Sequence, residues 1–166
     1  IQPHSNQDLE KFWDFIENTY GLTGDEPNEN TFYFRVVSRC VILHGYGEPF
    51  LDKYLIKRLD ACKKRNIPTY FSCTPATMTV DKAIKAMESG LTVLKFSLDA
   101  MDDNSIKDIR GKKANYHESI EKIHKLIEIK KERGFKTLLV PCMIAFNNDK
   151  DNSKLHSKFL DFWKGK

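Results

Sequence analysis

Residues 79–100 read TVDKAIKAMESGLTVLKFSLDA, and the spacing of apolar residues changes partway through. Val80, Ala83, Ile84 and Met87 recur at helical spacing behind Thr79, a residue type that caps helix N-termini. Gly90 supplies the left-handed residue that ends such a helix. LTVLKFSL then reads as a short buried strand. A helix that runs directly into a strand is half of a β-α-β unit, and the reading extends outward from it in both directions.

Upstream, IPTYFSC reads as a strand, preceded by a helix over Asp52–Arg65 with Leu55, Leu59 and Cys62 inward and a stop at Asn66 and Pro68. A short buried strand over Arg39–His44 comes before that helix. Downstream, a longer loop leads to a helix opened by Asn115 and Glu118, with Ile120, Ile123 and Ile127 inward and Gly134 as its stop. FKTLLVPCMIA and NSKLHSKFLDFWKG form a fourth strand and helix. Near the N-terminus, Ser5 and Asp8 fit a capping box before Leu9, Phe12, Trp13, Ile16 and Tyr20, and Gly21 ends that helix.

Strand-then-helix units in series force parallel pairing through right-handed crossovers, since a tight turn cannot connect parallel neighbours. The expected fold class is therefore α/β, either an open doubly wound sheet or an arc of a (β/α) barrel. With 166 residues the chain is too short for an eight-unit barrel, which needs about 250. One domain over residues 1–166 is expected, with the first helix in 1–21 and four β-α units over 39–166.

Composition narrows the function classes. The net charge of +4 is spread over helical faces such as KYLIKRLDACKKR, where both signs mix, so no nucleic-acid partner is expected. No apolar run approaches the roughly 20 residues that span a membrane, and with no signal peptide in IQPHSNQD a cytoplasmic location is expected. Cys40, Cys62, Cys73 and Cys142 lack the short spacing of a zinc or redox pair and read mainly as reduced core thiols, with Cys73 and Cys142 also within reach of the strand ends. The five histidines show no metal spacing, and P-loop, nucleophile-elbow and dinucleotide glycine patterns are absent.

In parallel α/β folds, working residues gather at the C-terminal ends of the strands. His44, Gly45, Gly47 and Glu48 follow the first strand, Ser72, Cys73 and Thr74 the second, Ser97 and Asp99 the third, and Asn147 and Asn148 the fourth. In GYGEP, glycines on either side of Tyr46 let the backbone bend and approach a ligand, while Pro49 fixes the entry to the next helix. Glu48, held in this turn, is an acceptor suited to a ligand ammonium.

The order of these motifs resembles the radical SAM superfamily. Gly45-Tyr46-Gly47-Glu48-Pro49 is similar to the family's Gly-Gly-Glu-Pro motif with one residue inserted, FSCTPATM stands where the family has Ser-Thr-Asn-Gly, and KFSLDAMDDNSIKDIRG is similar to its Ser-Leu-Asp stretch followed by Arg-Gly. The resemblance implies an incomplete (β/α)6 TIM-like barrel of repeated β-α units with parallel strands.

It also implies a site for S-adenosylmethionine. Gly47, Glu48 and Pro49 would receive the amino group. Ser72 would make the third-strand contact to the cofactor, Ser97 and Asp99 would face its methionine or ribose part, and Arg110 would face its carboxylate or the substrate, through its planar fork. Ile144, within Met143–Phe146, would lie along the adenine. The segment VPCMIAFNNDKDNSKLHSKFLDFW resembles members with a SPASM-type extension, which points by analogy to a peptide substrate, with a small molecule as the other class.

The family's reaction needs a [4Fe-4S] cluster on a Cys-x-x-x-Cys-x-x-Cys loop and a reductant such as flavodoxin or ferredoxin. The cluster delivers the electron that splits S-adenosylmethionine to a 5′-deoxyadenosyl radical, which abstracts hydrogen from the substrate. That cysteine motif does not occur in this sequence, and the expectation is that it lies upstream of Ile1 and that these residues alone do not make the radical. Two alternatives remain open at this level. One is a module without a cluster that binds S-adenosylmethionine or a protein partner. The other is an unrelated α/β barrel fragment in which Glu48 acts as general base on a phosphorylated or hydroxylated substrate.

Overall fold

The computed structural model describes residues 40–45, 47–144 and 150–166, all within the compact unit Cys40–Lys166. The helix expected over Ser5–Tyr20 lies outside the described residues. Among these residues four strands form one sheet: β1 (Val41–Ile42), β2 (Thr69–Cys73), β3 (Val93–Ser97) and β4 (Leu138–Cys142). Each pairs parallel with the next, with Ile42 opposite Tyr70, Ser72 opposite Lys95, and Ser97 opposite Cys142.

Among the described residues five α-helices accompany the strands: α1 (Leu55–Lys63), α2 (Val80–Glu88), α3 (Asp103–Arg110), α4 (Tyr116–Arg133) and α5 (Lys150–Trp163). The strand order β1-β2-β3-β4 contains no reversal, which decides between the two expected architectures. A doubly wound sheet changes direction at a switch point, whereas an unreversed order with right-handed crossovers winds one way, as in a barrel. The fold is a parallel α/β arc of a TIM-like barrel.

Packing follows the strand alternation. Phe71 and Cys73 of β2 and Leu94 and Phe96 of β3 point toward the helices and are buried against Leu59 of α1, Ala83, Ala86 and Met87 of α2, Ile123 and Leu126 of α4, and Phe159 of α5. The alternate residues Ser72, Lys95 and Ser97 are half-buried on the opposite face. Thr79 Oγ1 accepts from Lys82 N at 3.3 Å and Asn115 Oδ1 from Glu118 N at 2.9 Å, the caps expected for α2 and α4. Gly90 has φ +84°, and a Cβ there would stand 3.0 Å from the Lys63 side chain, so both backbone and packing select glycine.

The buried strand expected over Arg39–His44 is instead only Val41–Ile42 and is exposed, because β1 lies at the edge of the described sheet. Three further expectations are corrected. The helix expected over Asp52–Arg65 is shorter, because Pro49–Leu51 forms a 3-10 turn and Asp52 accepts from Tyr54 N at 2.8 Å before α1 begins. The longer loop expected after β3 contains α3, opened by Asp102, whose Oδ1 accepts from Asn104 N and Ser105 N, each at 2.9 Å. Cys73 is buried among the helix-facing residues and does not reach the strand-end rim. Among the described residues no helix is long and apolar enough to cross a membrane.

Leu94 lies at the centre of the core with 0 % exposure. Leu94→Ala should lower unfolding stability by about 3 kcal/mol, read as a lower urea midpoint, because the close-packed site cannot collapse around the cavity.

Candidate functional site

Glu48 follows the turn after β1 and sits immediately before the 3-10 turn Pro49–Leu51. Its carboxylate reaches across to the end of β2. Oε2 accepts from Thr74 N at 3.0 Å and from Thr77 Oγ1 at 3.1 Å, and Oε1 accepts from Thr74 Oγ1 at 2.6 Å. Thr77 is brought over Thr74 by the 3-10 turn Pro75–Thr77, and its hydroxyl is also 2.9 Å from Thr74 O. A carboxylate has about four acceptor directions, so these bonds fix its orientation while leaving capacity for a ligand donor. Lys82 Nζ, donating to Phe50 O at 3.0 Å, holds the same turn from α2.

Beside Glu48 lies a cleft of about 350 Å³ lined by His44, Gly45, Gly47, Glu48 and Pro49, with Asp52 and Arg58 on its wall. A Cβ added at Gly45 or Gly47 would meet nothing within 4 Å, so both glycines border open space. Neither has a positive φ, so the contribution of these glycines is room rather than an unusual backbone conformation. Asp52 and Arg58 pair at 2.9 Å.

Asp99 is the second fixed carboxylate. It has φ +56°, a left-handed conformation that Asp tolerates better than most residues, and this turns its side chain back over the sheet. Oδ1 accepts from Ile144 N at 2.8 Å just beyond β4, and Oδ2 pairs with Arg110 Nη2 at the end of α3. The Asp99 side chain is 6 % exposed and that of Arg110 29 %, so the acid is enclosed while the guanidinium keeps open donors. The chain leaves Arg110 through Gly111 at φ +91°, which favours glycine at that step. The resemblance places Asp99 toward a ligand, and in the structure its two oxygens meet Ile144 N and Arg110.

Between these two clusters, Ser72 and Ser97 meet with their hydroxyl oxygens 3.0 Å apart. Ser72 N donates to His44 Nδ1 at 3.2 Å, and the His44 ring stands edge-on to Tyr70 with centroids 5.0 Å apart. Burial, and secondarily the charge of Lys95, hold the His44 pKa below the ordinary 6.5. With Nδ1 accepting a backbone N–H, neutral His44 carries its proton on Nε2.

The expected site residues thus fall into three groups along one rim. Gly47, Glu48 and Pro49 lie at β1, Ser72 and Ser97 meet between β2 and β3, and Asp99, Arg110 and Ile144 join β3 to β4. Asn147 and Asn148 lie outside the described residues. Thr77 and Lys95 were not singled out from the sequence. Thr77 shows no local signal, whereas Lys95 does, being the one charged residue in the apolar strand VLKFS.

The donor set bears on two cofactors. A fixed carboxylate, an open guanidinium and paired hydroxyls complement the ammonium, carboxylate and hydroxyl groups of S-adenosylmethionine, and the residues fit that molecule. They do not fit an iron-sulfur cluster. Cys40, Cys62, Cys73 and Cys142 form no disulfide, and among the described residues no group of three or more His, Cys, Asp or Glu is placed to hold a metal. Burial pushes the Cys73 thiol far above its ordinary pKa, the reverse of a metal-binding thiolate. Cys142 is half-buried, in register with Ser97 rather than in the core.

Two outcomes follow from these bonds. Asp99→Asn keeps an acceptor for Ile144 N and tolerates the left-handed backbone but loses the charge opposite Arg110, and it should destabilise the protein by about 1–2 kcal/mol in urea unfolding. Asp99→Ala, which also orphans Ile144 N, should cost about 3 kcal/mol. The depressed His44 pKa means that the unfolded chain binds a proton first as pH falls. Its contribution to stability is therefore present above pH 6.5 and is lost below that value, and His44→Gln should flatten the pH dependence of the urea midpoint over that range.

The scan against family models matches the Radical SAM superfamily over residues 12–155 of the chain. No curated protein and no solved structure matches it significantly. The matched span takes in all four strands and every rim group described above, and the chain belongs to the radical SAM superfamily.

Proposed function

We propose that this chain is the S-adenosylmethionine-holding part of a radical SAM enzyme acting on a peptide or a small molecule. The observation that carries the reading is the pairing of a fixed, incompletely saturated Glu48 carboxylate with an Arg110 guanidinium oriented by Asp99, both at the C-terminal rim of one parallel sheet. Opposite charges on a rigid rim suit the zwitterionic amino-acid end of the cofactor, and preorganised partners lose little entropy on binding.

Glu48, with the backbone at Gly47 and Pro49, receives the ammonium. Arg110 takes the carboxylate through its open N–H donors. Ser72 and Ser97 offer hydroxyls to the methionine or ribose part, and Ile144, exposed beyond β4, offers an apolar surface to the adenine. Asp99 acts through Arg110 and is a positioning residue. Thr74 and Thr77 play the same part for Glu48.

S-adenosylmethionine supplies the sulfonium whose reductive cleavage begins the family's chemistry. Electron delivery belongs to the family's cysteine loop and its [4Fe-4S] cluster, with an external reductant, and no step of it is assigned to these residues. The peptide class rests on the SPASM-like closing segment.

Isothermal titration of the 166-residue chain with S-adenosylmethionine tests the reading. Saturable binding is expected, weakened about tenfold or more by Glu48→Gln and by Arg110→Met, because each removes a charge-assisted bond worth about 1.5–3 kcal/mol. Absence of binding to the folded wild type, or affinities unchanged in both variants, would overturn it.

A further inference from the structure

His44 lines the same cleft as Glu48, and the cofactor assignment above gives it no task. It stands two residues past β1, and its ring is held on two sides. Ser72 N donates to Nδ1 at 3.2 Å, and the buried Tyr70 meets the imidazole edge-on with centroids 5.0 Å apart. With Nδ1 used as an acceptor, the proton of the neutral ring sits on Nε2. That N–H has no partner among the described residues, and Nε2 is not one of the sealed polar atoms, so it is open to a ligand.

The polar side chains on the cleft wall are two carboxylates, Glu48 and Asp52, and two donors, His44 and Arg58. An amino-acid ligand carries its ammonium and carboxylate on one carbon, so a ligand whose ammonium sits on Glu48 brings its carboxylate into the same cleft. There the Glu48 charge repels it, and a carboxylate taken out of water without a donor is costly. Arg58 is the more solvated donor: its side chain is 57 % exposed and its Nε is bound to Asp52, so water and salt weaken its field. His44 is half-buried and fixed, and a preorganised donor loses little entropy on binding.

We propose that His44 is a binding residue of this site, its Nε2–H donating to the α-carboxylate of the ligand whose ammonium Glu48 holds. The assignment rests on the S-adenosylmethionine reading above. It adds to Arg110 rather than replacing it, since a carboxylate has about four acceptor directions. Burial and the charge of Lys95 keep the ring uncharged at neutral pH, so the bond comes from a neutral donor whose tautomer is set by β2. His44 thereby selects a ligand that carries a carboxylate beside its ammonium.

Isothermal titration of the 166-residue chain with S-adenosylmethionine and with decarboxylated S-adenosylmethionine tests this, using two variants that separate the ring nitrogens. His44→Asn keeps an acceptor at the Nδ1 position for Ser72 N and has no group at the Nε2 position. His44→Gln sets an N–H near the Nε2 position and gives up the Nδ1 acceptor. His44→Asn should bind S-adenosylmethionine about tenfold more weakly, the loss of a hydrogen bond to a charged group, and bind the decarboxylated compound within about twofold of wild type. His44→Gln should keep S-adenosylmethionine affinity within about threefold while its urea midpoint falls, because Ser72 N loses its partner. A role confined to holding Ser72 gives the opposite order.

Unchanged affinity of His44→Asn for both ligands, or an equal loss for both, overturns the proposal. If either variant does not fold, the wild-type His44 Nε2 resonance carries the test. It should shift on saturation with S-adenosylmethionine and hold its position with the decarboxylated compound, and equal shifts overturn the proposal. A folded wild type that binds neither compound overturns the cofactor reading and this assignment with it. A wild type that binds S-adenosylmethionine, with none of these differences at His44, keeps the cofactor reading and overturns this assignment alone.

Discussion

Parallel strands laid side by side in chain order oblige each crossover to return on the same side, and this constraint governs the rest of the molecule. Among the described residues α1, α2 and α4 cover one face, where Phe71, Leu94 and Phe96 are sealed against them. That core can bear the folding free energy through burial of apolar area. The opposite face is thereby released from a purely apolar composition, and β2 and β3 carry Ser72, Lys95 and Ser97 there beside the buried Tyr70 and Val93.

A second regularity lies at the rim. Each of the two fixed acids belongs to one strand end and accepts a backbone N–H from just beyond the next strand in order. Glu48, after β1, takes Thr74 N beyond β2, and Asp99, after β3, takes Ile144 N beyond β4. Loop amides past the end of a ladder have no strand partner, so a carboxylate satisfies them and clamps neighbouring loops at once. The two clamps differ in what remains. Glu48 is held by an amide and two neutral hydroxyls, whereas Asp99 is paired with Arg110, whose side chain is the more exposed of the two. One clamp presents an anion and the other a cation.

Much of this was legible in local chemistry. Thr79, Asn115, Gly90 and Gly134 marked helix ends through short-range bonds and left-handed backbone, and the structure places each where its residue type implies. What was missed is either too polar to show a period or non-local. The stretch DNSIKDIR of α3 buries only Ile106, so it lacks the apolar stripe that would announce a helix, and its start rests on the Asp102 cap. The partners of Glu48 lie 26 and 29 residues away, and no spacing rule connects them. Cys73 follows Ser72 and so was expected near the rim with it, but strand alternation sends adjacent side chains to opposite faces.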